Sequence, residues 1–210
     1  MKGPVAVLYA RRDTARRVRP AVRRAVLVAA PALTVLLALA GAPPAAPARA
    51  GGPTVCTVDG VLRPGPDVVG TASADRIECS SVAAGHSVEG LGGADTLTLT
   101  GAVEGDVRGG PGDDTVLVLP GAGQAPRAGL HGDEGNDTIR IADGVEVSGL
   151  VDGGEGDDRI VVRGTVTPSG QIFGDEGDDD IHVHNNQGFA DARPGARDVC
   201  VADMGSPCPR

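Results

Sequence analysis

The sequence predicts an all-β fold, a parallel β-solenoid of about six rungs of roughly 20 residues each, with disulfide-stapled ends. Three observations predict it. A glycine-rich acidic motif recurs six times, with its first glycine at Gly70, Gly90, Gly109, Gly132, Gly153 and Gly174, in steps of 20, 19, 23, 21 and 21 residues. Apolar residues occupy the same places in every copy. Bulky core formers are nearly absent, with no Trp, one Tyr and two Phe, so a thin core of Val, Ile and Leu suits the chain better than a conventional globular one.

Residues 1–50 read as a secretory signal peptide. Arginines crowd residues 11–24, the apolar run AVLVAAPALTVLLALAGA follows at 25–42, and Ala48-Arg49-Ala50 supplies a small-x-small cleavage site, with Ala42 as a second. Pro31 and the shortness of the run argue against a membrane anchor. Arg23-Arg24 leaves both the general and the twin-arginine export routes open. Localisation is therefore expected to be secreted, outside the cell. Residues 51–67, with Cys56, are expected to cap the solenoid at its start, and residues 185–210, with Cys200 and Cys208, at its end.

The rungs occupy 68–184. Two residues before the first glycine stand Val68, Val88, Val107, Leu130, Val151 and Ile172. Seven after it stand Ile77, Leu97, Val116, Ile139, Ile160 and Ile181, and nine after it Cys79, Leu99, Val118, Ile141, Val162 and Val183. Spacing of two along the chain places these on one face of a strand. Each rung then reads as glycine-rich turn, strand, second turn and second strand. The second turns carry Gly101, Pro120-Gly121, Asp143-Gly144 and Gly164, and the second strands Val103, Val145, Val147 and Val166. One rung cannot bury its apolar face alone, so the unit must repeat.

Removing the leader leaves 10 basic and 27 acidic residues, a net charge of −17. That excludes nucleic acid and anionic membranes as partners and favours cations. The four cysteines all lie in the exported part, where disulfides persist. Three pairings are open; local pairing, Cys56 with Cys79 and Cys200 with Cys208, is the one expected.

Five residues after each first glycine stands an aspartate: Asp75, Asp95, Asp114, Asp137, Asp158 and Asp179. Stacking holds these carboxylates about one strand spacing (~4.8 Å) apart, where they repel. A hard divalent cation between successive turns relieves the repulsion, and calcium mixes carboxylate and carbonyl oxygens in flexible geometry. GGPGDDTVL at 109–117 and GGEGDDRIV at 153–161 resemble the nonapeptide of the RTX (repeats-in-toxin), hemolysin-type calcium-binding repeats. GDEGNDTIR at 132–140 and GDEGDDDIH at 174–182 depart only at the second glycine. The resemblance implies a β-roll with calcium between turns. It carries the ligand role to Asp114, Asp137, Asp158 and Asp179, with Asp75 and Asp95 in looser copies. Backbone oxygens are implied at Gly109, Gly110, Gly112, Gly132, Gly135, Gly153, Gly154, Gly156, Gly174 and Gly177. Only one such motif occurs per turn, so calcium is expected on one edge, at three to five gaps, and the metal-free chain is expected to be disordered.

Other constellations are weaker. His182 and His184, with Asp180, form two ligands and a neighbour rather than a closed metal site; a solvated strand face is the plainer reading. His86 and His131 are single and expected at the surface. Thr96, Thr98 and Thr100 make an outward row that later rungs break. No H-E-x-x-H, G-x-S-x-G or P-loop occurs, and no enzyme is expected. Besides calcium, an exposed strand face recognising cell-wall or extracellular glycan or protein is the second partner reading.

Overall fold

The computed structural model describes residues 53–209; the leader and cleavage site expected within residues 1–50 lie outside them. All regular elements among the described residues are strands. One sheet is built from β1 (Thr54–Val58), β2 (Val61–Gly65), β4 (Arg76–Ser81), β6 (Thr96–Leu99), β9 (Thr115–Val118), β12 (Thr138–Ile141), β15 (Arg159–Val166), β17 (Asp180–Asn186) and β19 (Val199–Gly205). The short strands β7 (Ala102–Val103), β10 (Gly123–Gln124) and β13 (Glu146–Val147) join it through β15. The second sheet stacks β3 (Val68–Val69), β5 (Ser87–Glu89), β8 (Asp106–Pro111), β11 (Gly129–Glu134), β14 (Leu150–Glu155), β16 (Gln171–Glu176) and β18 (Phe189–Asp191). Rungs pair in parallel and in register, as Ile139 with Ile160 and Ile160 with Ile181.

Seven strands in the second sheet mean seven rungs, not six. The stack continues past residue 184, because β18 pairs with β16 and β19 with β17. The seventh copy escapes the sequence pattern for two reasons. Ala192 replaces the first glycine, and Asp198 stands six positions after it rather than five. At the other end β1 pairs antiparallel with β4 and β2 antiparallel with β1, so the parallel stack stops there.

The three apolar columns face one continuous core. From Val68 to Ile172, from Ile77 to Ile181, and from Cys79 to Val183, every member is buried. Burying each such side chain contributes roughly 1.5–3 kcal/mol. The second-turn residues supply a further wall. Val103, Val147 and Val166 are buried in strands, whereas Val145 is buried in the turn ahead of β13. Gln124 and Asn186 occupy the same wall. The motif itself is divided differently from the expected turn. Its first three residues, Gly153-Gly154-Glu155 for example, still belong to a strand, and the bend falls only at Gly156-Asp157. Cys56 bonds Cys79, and Cys200 bonds Cys208.

Candidate metal centre

Period-two alternation decides where the motif aspartates go. Asp158, Ile160 and Val162 share one face, so the carboxylate points inward at the rim of the core. The same parity turns Gly153 inward after Val151. Because Gly153 has no side chain, the Asp158 carboxylate occupies that space: a methyl there would press on Asp158 Oδ2 and lie 2.7 Å from the Gly174 carbonyl oxygen. The pairing of first glycine with fifth-following aspartate is thus steric before it is chemical.

The structure brings all six sequence-identified aspartates into one buried column and adds Asp198. All but Asp75 accept a hydrogen bond from the backbone of the rung before. The N–H of Asp75 donates to Asp95 Oδ1, that of Asp95 to Asp114 Oδ1, that of Asp114 to Asp137 Oδ1 and that of Asp137 to Asp158 Oδ1, all at 2.7 Å. Asp158 donates to Asp179 at 2.9 Å, and Asp179 to Asp198 at 3.2 Å. A second ladder lies one residue earlier, on the surface, and runs the other way. Asn136 N–H donates to Asp113, Asp157 N–H to Asn136 Oδ1, and Asp178 N–H to Asp157, at 2.8–2.9 Å.

The second oxygen of each inner aspartate is the unsettled one. Oδ2 of Asp95, Asp114, Asp137, Asp158, Asp179 and Asp198 is buried without a hydrogen-bond partner. Burial pushes the Asp114 and Asp158 carboxyls up to about 7 and those of Asp137 and Asp179 up to about 6, outweighing the N–H bonds that lower them. Asp95 is raised for the same reason. A buried, unpartnered carboxylate oxygen calls for a proton or a cation.

The donors present fit a hard cation in kind. Around the bare inward side of Gly109, Asp114 Oδ2 and the carbonyl of Gly132 converge. Gly90, Gly132 and Gly153 repeat the arrangement with the carbonyls of Gly109, Gly153 and Gly174. Carbonyls of the fourth-position glycines Gly112, Gly135 and Gly156 point instead along the stack toward the equivalent glycine of the next rung. The second-position glycines Gly110 and Gly154 hold the positive φ the motif requires, +106° and +114°. Among the described residues no three His, Cys, Asp or Glu side chains converge as a metal cage, so backbone oxygens have to complete any coordination shell. Comparison with protein-family models, with curated proteins and with solved structures finds no match.

Two of the four histidines are placed as expected, on a solvated strand face, and two are not. His182 and His184 do share the outward face, but their common partner is Asp203 of β19, at 3.2 Å to each ring. Asp180 is taken by Arg159. His86 and His131 are half-buried rather than free at the surface. His86 meets the Thr54 hydroxyl at 3.1 Å, and His131 faces Asp152 at 3.5 Å. Asp198 and Asp203 are the residues that sequence reasoning missed; both lie on the seventh rung.

Proposed function

We propose that this is a secreted calcium-binding protein whose solenoid closes around ions held at its aspartate edge, as the resemblance to RTX repeats implies. One observation carries the reading: six buried oxygens of the inner aspartate column lack a partner, and those of Asp95, Asp114, Asp137 and Asp158 each converge with a glycine carbonyl of the next rung. Asp95, Asp114, Asp137, Asp158, Asp179 and Asp198 would hold the ions, with Asp75 closing the first gap. Carbonyls of Gly109, Gly132, Gly153 and Gly174 would add backbone ligands. The ion supplies the positive charge that an acidic, closely stacked edge otherwise lacks. The leader and the two disulfides support an extracellular setting, where calcium is plentiful.

Ions that bind only the folded chain stabilise it by RT ln(1 + [L]/Kd) per site, so closure follows calcium concentration. Circular dichroism of leader-free protein in chelator at neutral pH should show little β-structure, with a cooperative gain in millimolar calcium. Isothermal titration should give several ions per chain, up to one per gap. Full order in excess chelator and no heat on adding calcium would rule the reading out.

A further inference from the structure

The leader-free chain carries no lysine, and nine arginines fall among the described residues. Five of them have a carboxylate within 4.0 Å: Arg76, Arg108, Arg159, Arg193 and Arg197. In a chain with nearly three acids per base, an arginine without such a partner is conspicuous. Among the described residues Arg63, Arg127, Arg140 and Arg163 have none within that distance. Two of the four, Arg140 and Arg163, stand together on the outward face of the first sheet.

Register fixes the patch. Arg140 of β12 lies directly beside Val161 of β15, and Val161 beside His182 of β17. Arg159 and Arg163 flank Val161 along the same strand, about 13 Å apart at a rise of ~3.3 Å per residue. Three guanidinium groups therefore surround one small apolar side chain, with His182 and His184 along the next rung. They line a shallow cleft of about 510 Å³. Its nearby carboxylates are mostly paired already, but not with Arg140 or Arg163. Asp203 accepts from both histidines, Asp180 takes Arg159, and Asp143 lies at the turn end of the cleft without reaching Arg140 or Arg163 within 4.0 Å.

We propose that this face binds an acidic polysaccharide, a linear glycan carrying carboxylates on successive sugars. Arg140 and Arg163 take a carboxylate each in the forked, two-bond geometry, and Val161 gives the sugar ring an apolar seat. Charge complementarity selects the occupant. A duplex or a membrane would bring its charge against the acidic remainder of a −17 chain, whereas a single glycan strand fits within the patch. The site is separate from the aspartate column, and the proposal does not depend on what that column holds.

The test uses a fluorescent hexamer of galacturonate, its methyl ester, and a sulfated heparin hexamer, with calcium-loaded protein checked for folding by circular dichroism. Wild type should bind the galacturonate, less tightly in high salt, and should not bind the neutral ester. R140Q/R163Q should weaken binding by about tenfold or more, each single variant less, and R127Q, which removes an unpaired arginine elsewhere, should leave it unchanged. Equal binding by R140Q/R163Q would overturn the proposal by placing the glycan on calcium at the acidic edge. So would absent binding, equal binding of the ester, or tighter binding of the sulfated hexamer.

Discussion

The backbone N–H of Asp137 donates to Oδ1 of Asp158 at 2.7 Å, and the other oxygen of Asp158 touches no donor. One carboxylate thus does two separate things. It splices two rungs together, and it leaves a buried charge to be settled by a proton or an ion. Substitutions at Asp158 separate the two. Asp158→Ala removes both oxygens and orphans the Asp137 N–H, at a cost of about 2 kcal/mol or more. Asp75→Ala should cost less, since the Asp75 carboxylate accepts only from Thr71 of its own rung. Asp158→Asn keeps an acceptor for Asp137 and turns the orphaned oxygen into an amide donor facing the Gly174 carbonyl. In metal-stripped protein at pH 8 it should therefore keep more β-structure by circular dichroism than wild type, while titration finds fewer calcium sites. Less β-structure than wild type would show that the second oxygen needs neither a proton nor an ion.

Glycine substitutions test the steric half of the motif. A Cβ on Gly153 has no room, since Asp158 Oδ2 and the Gly174 carbonyl already fill its place. A Cβ on Gly144 meets open space, and its penalty is the positive φ of +77° alone. Gly153→Ala should cost about 3 kcal/mol, in the upper range of overpacked sites, and Gly144→Ala about 1 kcal/mol. Urea melts of the two variants rank them. The reverse order would mean that the aspartate swings away freely and is not held by its rung.

The columns were legible because side-chain parity is a local property. Val68 through Ile172 and Ile77 through Ile181 are each spaced so that strand alternation alone turns them inward, and the motif aspartates follow the same parity. What escaped was set by contacts between rungs. Nothing local to ADARPGARDVCV at 190–201 marks a seventh rung, because Ala192 stands where the pattern has glycine and one extra residue shifts Asp198. Pairing with β16 and β17 is what enforces it. Asp203 could not be matched to His182 and His184 for the same reason. The use of Asp Oδ1 as an acceptor for the preceding rung was also hidden, since it requires the axial offset between successive bends.

The disulfides should contribute unequally. Cys56–Cys79 joins residues 23 apart and pins the antiparallel cap to the first rung, where Cys56 and Cys79 are directly paired across β1 and β4. Cys200–Cys208 joins residues 8 apart on the last rung. By loop-closure entropy the first contributes about 3.4 kcal/mol and the second about 2.5. Loss of the first also frees Val58, in the core beside Ile77. C56S/C79S should therefore lower the melting temperature more than C200S/C208S, measured in saturating calcium. Equal losses would mean that the cap is held without its staple.

The aspartate column should make metal-free stability fall as pH rises. Burial raises the folded-state carboxyls of Asp114 and Asp158 to about 7 and of Asp137 and Asp179 to about 6, above the unfolded value near 3.8. The folded chain therefore binds more protons than the unfolded one between those values, and stability decreases with pH there. The contribution is fully present below about pH 4 and is lost as pH passes through 6 to 7. Calcium competes for the same oxygens, so its stabilising effect should grow over the same interval. Circular dichroism of metal-stripped protein from pH 5 to pH 8, repeated with calcium, gives both quantities as the fraction of β-structure. More β-structure at pH 8 than at pH 5 without metal would mean that the inner oxygens are already paired, and the ion would then have no buried charge to neutralise.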